Sequence, residues 1–450
     1  MGLVLRLVET RADGGTRSID VLELSRPGNL RDIADLGLTL PEAKRILARV
    51  QQAVVAAQAG DHAALRPECP SCGGGCRVKD WRPHQIATLF GTVTVRLPRF
   101  RCPGCGRGET GVSWPAHCRS TPELDQLQAR LSALMTYRVA AGVLAHLLPV
   151  AAGASHETLR SRTLAIGKRL RDAAAAEPAV AAPSAPAITV SLDATYIRSC
   201  HEGERHLEVR VGNVETPAGG RQVFGAIARA GTDIAALVRR ALDAVGRTGE
   251  TALTAFTDGC SGLRSILAAA GIAEPPIADW FHLSMRLRHA QQAVGSLPAD
   301  APDQVQAREA IAAEVGRLRW RTWNGKAKDA RITLKRIRTL LPAFKPEPTR
   351  KLKRALRAVD RYLRSQSAYL VDYAARHRAG LRVGTSLTEG TANFLVNRRM
   401  AKSQQIRWSR RGADLLLQVR CAVHNGALGS GFGQLFEPSP GSGLQWAEAA

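Results

Sequence analysis

Residues 187–199, AITVSLDATYIRS, alternate apolar and small polar side chains as a half-buried strand does, and they set one carboxylate, Asp193, within the run. Ile188, Val190, Leu192 and Ile197 supply the apolar positions. An aspartate near a strand end often does no more than hydrogen-bond a turn, so its meaning depends on the elements C-terminal to it. HLEVRVGNVET (206–216) and RQVFGAIARA (221–230) are two further strand candidates joined by short turns. Then DIAALVRRALDAVG (233–246) reads as a helix, ALTAFTDG (252–259) as a strand, SGLRSILAAAG (261–271) as a helix and PPIADWF (275–281) as a short strand. Three strands in a meander, followed by strands alternating with helices, is the layout of a ribonuclease-H-like sheet. The fold class expected is α/β with such a catalytic core.

In that layout Asp193 falls on the first strand and Asp258 at the end of the fourth, its expected neighbour, where an open sheet presents ligands. A third carboxylate is expected from a later helix. Glu389, in TSLTEGTANFLVNRRM (385–400), begins one, and Asn393 follows a turn later, placed to hydrogen-bond it or DNA. Three carboxylates so arranged suit two Mg²⁺ ions, or Mn²⁺, roughly 3.5–4 Å apart, as in phosphoryl-transfer sites. They repel one another until metal arrives. Asp279 and His282, at i and i+3 in DWFHLSMRLRH (279–289), are expected beside this site, assisting it or capping the helix, with Trp280 and Phe281 in the core.

Composition points the same way. Lys and Arg number 63 against 39 Asp and Glu, a formal net charge of +24 with a pI near 10.6, so the natural partner is a polyanion and nucleic acid is the first candidate. A membrane surface is disfavoured because the cations run along the whole chain instead of flanking one anchor. The apolar start is broken by Arg6, and VAAGVLAHLLPVAAGA (139–154) carries His146 and Pro149, so neither a secretory signal nor a membrane span is expected. The expected location is a bacterial cytoplasm, on the nucleoid when DNA is bound. There the nine cysteines are read as metal ligands before disulfides.

TLPEAKRILARVQQAVVAAQ (39–58) reads as a helix with a Thr39/Glu42 capping box. ECPSCGGGCRVKD (68–80) and RCPGCG (101–106) bracket TLFGTVTVRLPRF (88–100), in which Val93, Val95 and Leu97 alternate. This is a zinc-ribbon layout, with Cys69, Cys72, Cys102 and Cys105 as ligands of one structural Zn²⁺. The other readings are buried free thiols, or Cys76, His84 or Cys118 in place of one ligand. TPELDQLQARLSALM (121–135), RVAAGVLAHLL (138–148) and SHETLRSRTLAIGKRL (155–170) resemble a helix-turn-helix region. Leu159, Leu164 and Ile166 are expected inward; His156, Thr158, Arg160, Ser161 and Arg162 face DNA, or form a solvated arginine face. The run around RLRWRTWNGKAKDARITLKRIRTLL (317–341) reads as a helical insertion, in which Trp320 and Trp323 stack on an unpaired base or pack the insertion itself. The expected division is 1–65 strand and helix, 66–120 zinc ribbon, 121–172 helical DNA-binding region, 173–187 Ala/Pro linker, 188–284 first part of the core, 285–380 insertion, 381–425 C-terminal core helices, and 426–450 a disordered tail.

DWFHLSMRL (279–287), EGTANFLVNRRMAKSQQIRW (389–408) and GADLLLQVRCAVHN (412–425), with the cysteine pairs and VSLDATYIR (190–198), resemble bacterial insertion-sequence DDE transposases of the ISKra type, relatives of the Mutator-like group, over about residues 30–425. The resemblance implies metal-dependent cleavage and transfer of DNA strands at terminal inverted repeats. It implies Asp193, Asp258 and Glu389 as the catalytic triad and matches Asp279 and His282 to a D-x-x-H element. Arg398, Arg399 and Lys402 belong to the same stretch and are expected to contact DNA. The expected partner is double-stranded DNA, both element ends and target, with a homodimer or larger assembly on it. Ala194 stands where such proteins usually carry glycine. The competing readings are a catalytically inactive DNA-binding regulator or transposase relic, and a host nuclease on the same fold; a pure binding module has no need of the acidic set.

Overall fold

The computed structural model describes residues 2–10, 14–26, 32–33, 36–109, 119–150, 155–176, 183–384, 390–401 and 406–428. They divide into two units, Met1–Leu170 with Gly426–Ala450, and Arg171–Asn425. No helix among the described residues is long and apolar enough to cross a membrane. The tail beyond residue 428 lies outside them.

In the first unit, β1 (Gly2–Thr10) and β2 (Thr16–Ser25) form an antiparallel hairpin. The helix α1 (Leu40–Ala64) starts as its sequence dictates: Thr39 N–H donates to Glu42 Oε2 (2.9 Å), Glu42 N–H donates back to Thr39 Oγ1, and Pro41 occupies the first turn. Arg26 grips the same Glu42, and this guanidinium, with the Thr39 donors, holds the Glu42 carboxyl down at about 2. β3 (Arg77–Thr88), β4 (Gly91–Arg101) and β5 (Gly108–Glu109) make an antiparallel sheet in that order. Val93, Val95 and Leu97 are buried on one face of β4, as their alternation predicts. α2 (Pro122–Leu134), α3 (Tyr137–Leu147) and α4 (His156–Ala176) follow, with a small core of Ala140, Leu144 and Leu159.

The second unit is built on a mixed sheet. β6 (Ala187–Ser199), β7 (His206–Glu215) and β8 (Arg221–Ile227) form the antiparallel meander; α5 (Ile234–Ala244), β9 (Ala252–Thr257), α6 (Ser261–Ala269) and β10 (Ile277–Ala278) follow. The strand order is β10-β9-β6-β7-β8, with β9 parallel to β6 and β10 parallel to β9. Ile188, Val190 and Leu192 bury against α5 and α6, so the apolar half of the opening stretch became core. β6 outruns β9, and its last residues pair with β11 (Arg407–Trp408).

The outer edge of β8 is closed by side chains. On α12 (Arg410–His424) and just past it, Asp414 accepts from Ile227 N–H, Gln418 donates to Gly225 O, and Asn425 both accepts from and donates to the Val223 backbone. An open strand edge is a template for unwanted pairing, and these three residues occupy it. At Gly212 of β7 a Cβ would fall 2.4 Å from Ser191 O and 2.5 Å from the Phe224 ring. Gly212→Ala is therefore expected to cost about 2–3 kcal/mol, the upper range for overpacking, read as a lower urea midpoint with an unchanged slope.

Between β10 and the C-terminal elements lies the helical block the sequence predicts: α7 (Trp280–Gly295), α8 (Pro302–Trp323), α9 (Ala327–Leu340), α10 (Pro346–Ser365) and α11 (Tyr373–Arg378). They share one core in which Leu283, Leu287, Ile311, Leu318, Leu334 and Leu356 are buried. Trp280 N–H donates to Val383 O (3.2 Å), so the chain enters and leaves the block at one place.

Candidate functional site

CPSCG (69–73) and CPGCG (102–106) fold as the same turn. In each, the closing glycine donates to the first cysteine's carbonyl, at 2.8 Å for Gly73 and 3.0 Å for Gly106, and the first cysteine donates to the residue five on, Gly74 or Arg107, at 2.9 Å. Gly73 and Gly106 have φ of +67° and +74°, which a side chain would disfavour. Arg77 pairs with Arg101 across β3 and β4, so both turns stand at one end of the hairpin. Their four Sγ atoms lie within 4.8 Å of one another, with Cys69–Cys105 and Cys72–Cys102 at 3.4 Å. Thiolates about 2.3 Å from a tetrahedral zinc sit about 3.8 Å apart, so the set could hold a metal ion of that kind. Ser71 N–H pulls the Cys69 thiol down to about 6, and Cys105 N–H lowers that of Cys102, both favouring the thiolate that binds metal. Against the pull of the Gly74 and Arg107 N–H groups, the neighbouring sulfurs raise the thiols of Cys72 and Cys105 in the metal-free cluster. Among the described residues this is the one group of three or more His, Cys, Asp or Glu side chains drawn so close together. Cys76 and His84 stand outside it, and Cys118 lies outside the described residues.

The second constellation comes from strand register. Leu192 of β6 is level with Thr257 of β9, and Thr257 with Ala278 of β10. The residue that follows each of these three is an aspartate: Asp193 within β6, Asp258 just past β9 and Asp279 just past β10. Asp193 Oδ1 accepts from Ala194 N–H (2.8 Å) and Asp258 Oδ1 from Cys260 N–H (2.8 Å). Asp279 is fully buried; its Oδ1 caps α7 by accepting from Phe281 N–H (2.8 Å), and its Oδ2 lies 3.7 Å from His282 Nε2. Burial raises the Asp193 carboxyl above its ordinary range. The Ala194 N–H and the His282 ring oppose that shift, while Asp258 and Asp279 add to it. Asp193 thus feels the charges of the other three side chains.

Glu389 and Lys402 lie outside the described residues. The chain flanking residues 385–389 is anchored on both sides: a Cβ on Gly384 would meet Asp279 Oδ1 at 2.5 Å, Arg382 pairs with Glu215, and Arg221 donates to Thr391 Oγ1 (3.0 Å). Asn393 is exposed at the start of a π-helical run, Asn393–Ala401.

The expected DNA-contacting residues divide. His156, Arg160 and Arg398 are exposed. Arg162 is half-buried, donating to Gln128 (3.0 Å) near Asp125, and Thr158 meets Ser155 at the start of α4. Arg399 is buried beside the Trp408 ring. Trp323 packs on Trp280 and Tyr373, whereas Trp320 stays exposed with Lys326 over its ring.

Sequence reasoning placed Asp279 beside the acidic set, whereas the register puts it in line with the other two. The signal was present: in both FTD (256–258) and IAD (277–279) an aspartate ends a short apolar strand. Matched against models of known protein families and against curated proteins, the chain finds no match.

Because ionised Asp193 is disfavoured by burial, its raised carboxyl favours folding below the unfolded value near 4 and loses that contribution as pH rises through the folded value. Asp193→Asn is accordingly expected to raise the melting temperature of metal-free protein at neutral pH. The difference should close as the pH approaches 4; a variant that melts lower at pH 7 would contradict it.

Proposed function

We propose that this chain is a DNA transposase of the DDE type, with a ribonuclease-H-like core and a zinc ribbon in its N-terminal unit. The observation that carries this reading is the line formed by Asp193 in the middle of β6 with Asp258 and Asp279, which directly follow the ends of the adjoining parallel strands β9 and β10. The meander β6–β8, extended on the other side of β6 by β9 and β10, supports the assignment of the core.

Carboxylate oxygens suit a hard divalent cation, and a buried carboxyl crowded by two others is a place where such a cation is favourable. Asp193 and Asp258 would hold Mg²⁺ or Mn²⁺, with Glu389 the expected third ligand. The ions would activate the attacking water or 3′-hydroxyl and stabilise charge on the leaving oxygen. Asp279 fixes the first turn of α7 and keeps the His282 ring at the edge of the acidic line. The net charge of +24 would bring duplex DNA to this edge, and synapsis of two element ends calls for a dimer or larger assembly on DNA.

The test is incubation of the full chain with DNA carrying the sequences that flank its gene, in Mg²⁺ or Mn²⁺. Nicks at fixed positions, leaving 3′-hydroxyl ends that then join a second duplex, are the expected result. A protein that binds this DNA yet cuts neither strand with either metal would leave a DNA-binding regulator in its place.

A further inference from the structure

Residues 326–365, which hold α9 and α10, contain fourteen Lys and Arg but three Asp and Glu, so 40 of 450 residues carry nearly half of the chain's net charge. The cations are ordered. On α10, Leu352, Leu356, Val359 and Leu363 face the core, while Arg350, Arg354, Arg357, Arg361 and Arg364 recur on the exposed side. At about 100° per residue these five fall within an arc of about 80°, a stripe about 21 Å long. On α9, Arg331, Lys335 and Arg338 are exposed along one flank of the buried Leu334 and Ile337.

The two stripes are joined by Asp360. Its buried carboxylate receives Arg364 of α10 (2.8 Å) and Arg338 of α9 (2.9 Å), with Arg331 at 4.0 Å. A solvated helix face ordinarily interleaves carboxylates one turn from its cations. Here the exposed acid on α10 is Glu347, at its start, paired with Arg350. Among the described residues, Arg354, Arg357 and Arg361 have no carboxylate within salt-bridge reach. Such a surface repels itself unless a polyanion covers it.

We propose that the joined faces of α9 and α10 are a docking surface for the phosphate backbone of double-stranded DNA. Its length matches about six base pairs, over which a duplex presents roughly a dozen phosphates. A single strand is the poorer fit, because stacking needs aromatic side chains and Tyr362, the one aromatic residue of these two helices, is buried. The proposal shares with the functional reading the identity of the polyanion and nothing of the chemistry.

The experiment compares the full chain with its Arg354→Gln/Arg357→Gln/Arg361→Gln variant, binding a short duplex of arbitrary sequence across a salt series. The logarithm of the binding constant is expected to fall less steeply with the logarithm of salt, the slope shrinking by about three, with weaker affinity at low salt. An unchanged slope and affinity overturns the proposal, as does a wild-type protein that prefers single strands or polyglutamate to the duplex. Circular dichroism checks folding, and if the triple variant misfolds, the exposed single change Arg357→Gln is read for a slope change of about one. DNA cleavage with an unchanged slope refutes this surface alone. Slope loss in a protein that never cuts refutes the enzyme alone.

Discussion

Asp193→Asn is expected to lower metal-dependent strand cleavage by at least about a thousandfold, or about 4 kcal/mol of barrier at 1.36 kcal/mol per decade. Asparagine keeps the shape and the acceptor for Ala194 N–H, so the middle of β6 is retained. What it removes is the charge at the β6 end of the acidic line, and a neutral amide is a weaker ligand than a carboxylate for a hard divalent ion. Asp258→Asn should behave alike. Asp279→Asn is the informative comparison, because asparagine also caps helices and leaves α7 started. A loss at Asp279 as deep as at Asp193 would make it a member of the site; a small loss would confine it to positioning His282. Cleavage by Asp193→Asn at the wild-type rate would remove the proposed chemistry.

Removing metal from the cysteine site is the second large effect. Structural zinc contributes apparent binding energies of about 10–16 kcal/mol in small domains, much of it folding energy. The buried core at this end of the hairpin comprises Cys69, Cys76, Phe100 and Cys102, so little else holds the two turns together. Purified protein is expected to contain one zinc per chain. Chelation, or Cys102→Ser, should melt the 66–109 region, read as new proteolytic cuts there. Each ligand must shed a proton to bind, so the metal should be released as pH falls. Protein that purifies without metal and melts identically in chelator would exclude the site.

Much of this architecture is written locally. The α1 cap, the paired CPxCG turns and the alternation on β4 and β6 each depend on residues within a few positions of one another, and each appears as expected. The mixed sheet depends on the order of short apolar runs, which was also legible. What could not be read is set by distant packing. Arg399 and Arg398 are equivalent as sequence, yet the π-helical run turns one beneath Trp408 and the other outward. Arg420 makes the same point: it donates to the carbonyls of Phe394 and Leu395 from within the interior, where burial lowers it to about 10. Trp323 joined the helical core because Trp280 and Tyr373 stand opposite it, and no spacing rule distinguishes it from Trp320. The salt bridges of Asp360 needed α9 and α10 side by side before a basic composition became a shaped surface.

The meeting of Trp280 and Val383 has an engineering corollary. Since α7–α11 are threaded in and out through a single doorway, lengthening, trimming or exchanging their far ends leaves the spacing between the strands untouched. Chimeras that exchange the far ends of this cassette, keeping His282, Gln366 and Tyr373 against the strands, should keep the aspartates aligned while changing what the protein grips.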